Sequence, residues 1–158
     1  MIAAGAKVLK VRFHENQLPV DALVEGRNKK KYLVLSRGTP DTSPTSGLRR
    51  SDTVLKVGFV ATHLALEQKL GILVVTSHLP ERNTASGEYL SKLGPYVTDV
   101  IATTGDLLGF QRLNHLLHGP SEASLFRMPW KERKFDAQEV LKNIDEPAEF
   151  VTHHIPNP

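Results

Sequence analysis

The run Ile72-Leu73-Val74-Val75-Thr76 places the tightest limit on what this chain can fold into. Four aliphatic residues and a threonine, with none of the polar alternation of a half-solvated strand, predict a strand covered on both faces. Gly71 precedes the run. Before it, Leu55, Gly58, Ala61, Leu64 and Ala65 follow Val54 close to one helical face, which predicts a helix from a Ser51 or Asp52 cap to about Leu70. A helix that feeds a doubly covered strand belongs to an α/β layer.

The flanking segments extend that layer. Apolar and polar residues alternate from Lys7 to Phe13 and again, more loosely, from Pro19 to Glu25, and Tyr32-Leu33-Val34-Leu35 follows the turn-forming Gly26-Arg27-Asn28-Lys29-Lys30. Residues 7–36 therefore read as a three-stranded antiparallel meander. Residues 38–47 hold two prolines and no large apolar side chain, and read as a loop. Downstream, a helix of about Ala85 to Leu93, a strand from Val97 to Thr103 and a helix capped by Asp106 and ending at Leu117 complete the order β-β-β-α-β-α-β-α. The fold class expected is α/β, a β-meander followed by helix-strand units in a mixed central sheet. Residues 1–119 form the expected core. Residues 120–158 hold five prolines, the lone Trp130, the basic group Arg127, Lys131, Arg133 and Lys134, and one short helix candidate, Asp136 to Asn143, and read as an appendage.

Charge and composition narrow the chemistry. The net charge of +3 divides into +7 over residues 1–135 (19 basic, 12 acidic) and −4 over residues 136–158 (one basic, five acidic). Six of the positive charges fall in residues 1–60 (11 basic, five acidic), a balance that suits phosphate as a partner and is also that of an ordinary lysine-bearing surface. The chain has no cysteine, which excludes disulfides, iron–sulfur clusters, thiolate zinc and a cysteine nucleophile. Any metal is left to oxygen or imidazole ligands. No run reaches the roughly 18 residues of a membrane span and the start lacks a secretory signal, so a cytoplasmic protein without membrane contact is expected. Phosphate-binding GxxxxGK[ST], dinucleotide-binding GxGxxG and nucleophile-elbow GxSxG motifs are absent.

Asp21 lies within the second strand, and the third ends Leu35-Ser36-Arg37-Gly38. An acid on one strand of a meander, facing a second acid and a lysine on the next, lets two carboxylates hold Mg²⁺ beside a phosphodiester. Here Leu35 takes the place of the second acid and Arg37 that of the lysine, and arginine grips phosphate without readily releasing a proton. Asp21 on its own reads as a surface carboxylate near a strand end. At the start of the long helix, Arg49 and Arg50 with Asp52 and, one turn on, Lys56 suit a phosphate at a helix N-terminus, or an i, i+4 surface pair between Asp52 and Lys56.

The element order of Val20 to Gly119, with GLRRSDT, Lys56, LVVTSHLP, Asp99-Val100-Ile101 and Gln111-Arg112-Leu113, resembles the core of the PD-(D/E)XK restriction-endonuclease-like nucleases over roughly 100 of the 158 residues. The resemblance implies Mg²⁺-dependent cleavage of double-stranded DNA with Asp21 as first metal ligand, and a homodimer or a larger restriction-modification assembly. Some members of the family carry an active-site acid or lysine on the following helix. On that pattern Asp52 becomes the second ligand and Lys56 the group that positions or activates water. Arg37, Arg49 and Arg50 would then grip phosphate, and the hairpin tip Arg27, Lys29, Lys30 and Lys31 would meet the DNA backbone. The core helix that precedes the first strand in that family is not visible in this sequence. With the second acid and the lysine replaced, the alternative is a catalytically silent nuclease-fold module that binds DNA or a protein. Glu25 is a poorer second ligand, since four residues of strand separate it from Asp21 by about 13 Å.

His115 and His118, three apart at the end of the last helix, read as metal ligands or as imidazoles on the terminal carbonyls and the helix dipole. His78, just past the doubly covered strand, reads as a crevice residue or as a loop histidine with a local hydrogen bond. His153-His154 has no evident partner in sequence.

Overall fold

The computed structural model describes residues 5–38, 46–104 and 107–118. Asp106, most of the loop 38–47, the helix candidate 136–143, Trp130, the basic group 127–134 and His153-His154 lie outside the described residues.

The meander is present as β1 (Lys7–Glu15), β2 (Leu18–Glu25) and β3 (Lys31–Arg37), and a single 3₁₀ turn, Gly47–Arg49, then leads into α1 (Ser51–Glu67). The chain continues through β4 (Gly71–Thr76), α2 (Ala85–Lys92), β5 (Asp99–Ala102) and α3 (Leu107–His118). Five strands make one open sheet in the order β1-β2-β3-β4-β5. β1 with β2 and β2 with β3 are antiparallel, whereas β4 runs parallel to both β3 and β5. β3 is thus the junction where a hairpin-built half meets a crossover-built half. Among the described residues no helix precedes β1.

The β1–β2 connection is tighter than its sequence suggests. Asn16 and Gln17 alone span it, at φ 48° and 66°. Two central residues in the left-handed region give the hairpin turn whose twist matches the strands, and glycine is the usual second residue. Gln17→Gly is therefore expected to stabilise the fold by about 1 kcal/mol, the order of the left-handed penalty it removes, read as a higher urea midpoint. The β2–β3 turn is closed by Gly26 N–H to the Lys30 carbonyl at 2.9 Å and Lys29 N–H to the Gly26 carbonyl at 3.0 Å, and it is clamped to α3 by Asn28, whose Nδ2 donates to the Leu116 carbonyl at 2.9 Å.

Side chains of the central strands divide by period two between two cores. Leu33, Leu35, Ile72, Val74 and Val100 pack with Val54, Val57, Ala61 and Leu64 of α1 and Leu90 of α2. Tyr32, Val34, Leu73 and Ile101 pack on the opposite face with Leu113 and Leu117 of α3. The result is a helix–sheet–helix sandwich with β3 and β4 covered on both sides, as the 72–76 run predicts. Tyr32 donates to the Leu116 carbonyl at 3.2 Å, and burial raises its phenol above the ordinary value against a smaller opposite effect from Asn28.

Two helical details depart from the sequence reading. Ser51 is the first residue of α1 rather than its cap; the N-cap is Arg50, which makes no side-chain capping bond, and Ser51 Oγ instead meets Ser86 Oγ at 3.1 Å. The helix ends at Glu67, because Gln68 turns extended while its N–H still reaches the Leu64 carbonyl. Leu55, assigned to the apolar face of this helix, is exposed, as is Phe110 of α3.

Candidate functional site

Parallel strands carry their following loops to one edge, and in open α/β sheets that carboxyl edge is where ligands sit. Here it gathers the ends of β3 and β4 with the segment leading into α1. Ser77 N–H donates to the Arg37 carbonyl at 3.2 Å, and Leu48 N–H donates to the His78 carbonyl at 3.0 Å and to Thr76 Oγ1 at 3.2 Å. His78 Nδ1 lies 2.7 Å from Ser46 Oγ, so the histidine is locally bonded. Ser77 is 8% exposed and its Oγ has no hydrogen-bond partner among the described residues; it lies 2.8 Å from where a Cβ on either Gly38 or Gly47 would stand. Sequence assigns no role to this serine, glycine and histidine packing, and its only signal there is the position of Ser77-His78 after a doubly covered strand.

Asp21 lies one residue beyond the paired Ala22 and Val34, level with the end of β3. Its Oδ2 accepts from the backbone N–H of Ser36 at 2.7 Å and from Arg37 Nη1 at 3.0 Å, and Arg37 Nη1 also donates to the Ser36 carbonyl at 2.6 Å. Both side chains are partly exposed. Leu35, where the resemblance would have a second acid, is 0% exposed and belongs to the core under α1.

Asp52 stands apart from Asp21 in its pairing. In the exposed first turn of α1 it accepts from Arg50 Nε at 3.0 Å and Nη2 at 3.3 Å, with Lys56 Nζ at 3.8 Å. The Arg50 hydrogen bonds foremost, then the charges of Arg50 and Lys56, hold its carboxyl below the ordinary range. Asp21 and Asp52 thus belong to two separate ion-pair sets. Mg²⁺ takes one or two carboxylates with open lone pairs and keeps several waters; these carboxylates already accept N–H donors, and no group of three or more acids or histidines suited to a metal occurs among the described residues. Glu25 pairs with Lys29 at 3.9 Å, and His118 Nδ1 meets the Asn114 carbonyl at 2.9 Å in the last turn of α3.

The basic residues fall into two groups. Arg37, Arg49 and Arg50 lie at the carboxyl edge with Asp21, Asp52 and Lys56. Arg27, Lys29, Lys30 and Lys31 are exposed around the β2–β3 turn at the other end of β3. Lys31 opens β3 and Arg37 closes it, so strand geometry separates the groups by about 20 Å. The residues assigned to phosphate thus form two patches, with Lys7, Lys10 and Arg12 on β1 outside both.

A buried pair to which the sequence gives no role joins β5 to α3. Arg112 Nε donates to Asp99 Oδ2 at 2.9 Å and Nη2 to the Val100 carbonyl at 3.1 Å, while Asp99 Oδ1 accepts the Val100 N–H at 2.7 Å. The side chains are 4% and 8% exposed for Asp99 and Arg112. The signal in the sequence is an aspartate inside an otherwise apolar strand and an arginine next to Leu113 of the α3 stripe.

No helix among the described residues is long and apolar enough to cross a membrane. No family model, curated protein or solved structure matches the chain.

Proposed function

We propose that the chain is a duplex-DNA-binding module with a restriction-endonuclease-like core and an incomplete cutting site. The observation that carries this reading is the state of Asp21: its carboxylate is engaged by Arg37 and the Ser36 N–H, while the neighbouring acid position is the core residue Leu35. An ion pair stands where the resemblance would have a metal-binding acid and a lysine. Support for DNA comes from the two basic patches, one at each end of β3. Exposed arginines and lysines in such patches neutralise backbone phosphates without reading sequence.

Fluorescence anisotropy of a labelled duplex over a salt series tests the reading. Log affinity is expected to fall linearly with log salt, and Lys30→Ala with Lys31→Ala to weaken binding and flatten the slope by about one unit for each phosphate left without its cation. Plasmid incubated with the chain and Mg²⁺ or Mn²⁺ is expected to stay intact. Metal-dependent cutting abolished by Asp21→Asn would restore the catalytic assignment of Asp21, Asp52 and Lys56. Absence of duplex binding at low salt would overturn the DNA reading and leave a protein-binding role.

A further inference from the structure

We propose that the outer face of α1 is a self-association surface, on which a second copy of the chain docks through its own α1 in antiparallel, two-fold related fashion. Leu55, Phe59 and Leu66 are 55%, 57% and 75% exposed. With Thr62 they succeed one another at intervals of four, three and four residues, the spacing that keeps one seam of a helix facing a partner helix. They are not strays from the core. Val54, Val57, Ala61 and Leu64 already bury the opposite face of the same helix against the sheet, and a helix on a sheet ordinarily turns a polar face outward. α1 has 17 residues, about 25 Å of axis, enough for the whole seam.

The charges choose the occupant and its direction. Asp52 and Lys56 are exposed near the start of α1, and Glu67 and Lys69 are exposed at and just beyond its end. A parallel pairing would set Asp52, Lys56 and Glu67 each against itself. An antiparallel pairing centred between Val60 and Ala61 sets Leu55 against Leu66 of the second copy and Phe59 against Thr62. It also brings Lys56 within a turn of Glu67 of the second copy. Two-fold symmetry makes every such pairing twice, and the two helix dipoles oppose one another. Phe59, its ring 4.2 Å from that of His63, lies near the centre of the seam. An interface of one helix on another is small beside the roughly 800 Å² per partner of a standard interface, so a micromolar dissociation constant is expected. The apolar seam itself is separate from the two basic patches, although Asp52 and Lys56 lie beside one of them.

The full chain in sedimentation velocity, from about 1 to about 200 µM to bracket a micromolar constant, is expected to pass from monomer to dimer. Leu66→Lys or Phe59→Lys is expected to hold it monomeric with an unchanged far-ultraviolet circular dichroism spectrum. Because the chain has no cysteine, single-cysteine variants report the register directly. Mixed Leu55→Cys and Leu66→Cys chains are expected to cross-link to each other on mild oxidation, more than either does to itself. A chain monomeric throughout the range, a dimer indifferent to Leu66→Lys, or preferential cross-linking of Leu55→Cys to itself would overturn the proposal. A monomer whose Trp130 fluorescence responds to Leu66→Lys would also overturn it, by assigning the seam to the chain's own residues after 118.

Discussion

Arg112→Ala is expected to lower the unfolding free energy by about 3–5 kcal/mol, the usual cost of leaving one half of a buried ion pair uncompensated. Asp99 is the half left behind. Its Oδ2 would lose the Nε–H donor in a site where the aspartate side chain is 4% exposed, while Oδ1 keeps the Val100 N–H. The Val100 carbonyl would lose its bond from Nη2 as well. Replacing both partners with apolar residues of similar volume, Asp99→Leu with Arg112→Met, is expected to recover most of the stability, because nothing charged then stays buried. Urea denaturation of the parent, the single variants and the double variant measures the coupling. A single variant within about 1 kcal/mol of the parent would mean that water reaches Asp99 and that the pair does not anchor α3.

Gly47→Ala carries the second large effect. Gly47 sits at φ +65°, and a Cβ there would stand 2.6 Å from Thr76 Oγ1, 2.8 Å from the His78 nitrogen and 2.8 Å from Ser77 Oγ. The first two are a bonded hydroxyl and a backbone nitrogen, neither of them a side-chain end free to move. Thr76 Oγ1 accepts from Leu48 N–H and donates to the His78 carbonyl, so rotating it away breaks two bonds. The left-handed backbone costs an L residue about 1–2 kcal/mol and overpacking about 1–3 kcal/mol more, giving about 2–5 kcal/mol in a chemical denaturation experiment. The clash lies two residues before Arg49. On the DNA reading the same variant is expected to bind duplex more weakly under conditions where it remains folded.

The sheet is legible in the sequence where burial alone dictates pattern. The 72–76 run reads as a doubly covered strand because both cores need aliphatic residues there, and the period-two division of β3 follows from the same cause. The Asn16-Gln17 turn is hidden because it uses residues without the glycine that advertises such turns. Leu55 is misplaced by one helical step: it neighbours the buried Val54, but 100° of rotation carries it to the outside. The candidate site is less readable still. Sequence can put Asp21, Asp52 and Arg37 in one neighbourhood but not tell which cation each carboxylate takes, since that depends on side-chain direction at a strand end and a helix start. It does not reveal that Leu35 points into the core, or that the basic residues of the hairpin tip and those around the start of α1 lie at opposite ends of β3. Asp99 and Arg112 stand out singly, an acid in a strand segment and an arginine in a helix, but their pairing is not legible, because a buried pair leaves no spacing rule.

The junction at β3 also divides the work of assembly. Everything on its β2 side is reached through short turns, Asn16-Gln17 and then residues 26–30, whereas its β4 side waits for residues 38–70 to fold back. Closing a long segment costs chain entropy before any pairing offsets it. The hairpin half is therefore expected to form early, from local contacts, and it is synthesised before the parallel half. β3 then serves as the template on which the slower parallel half is laid down, with the Asp99–Arg112 pair fixing α3 only after β5 has arrived.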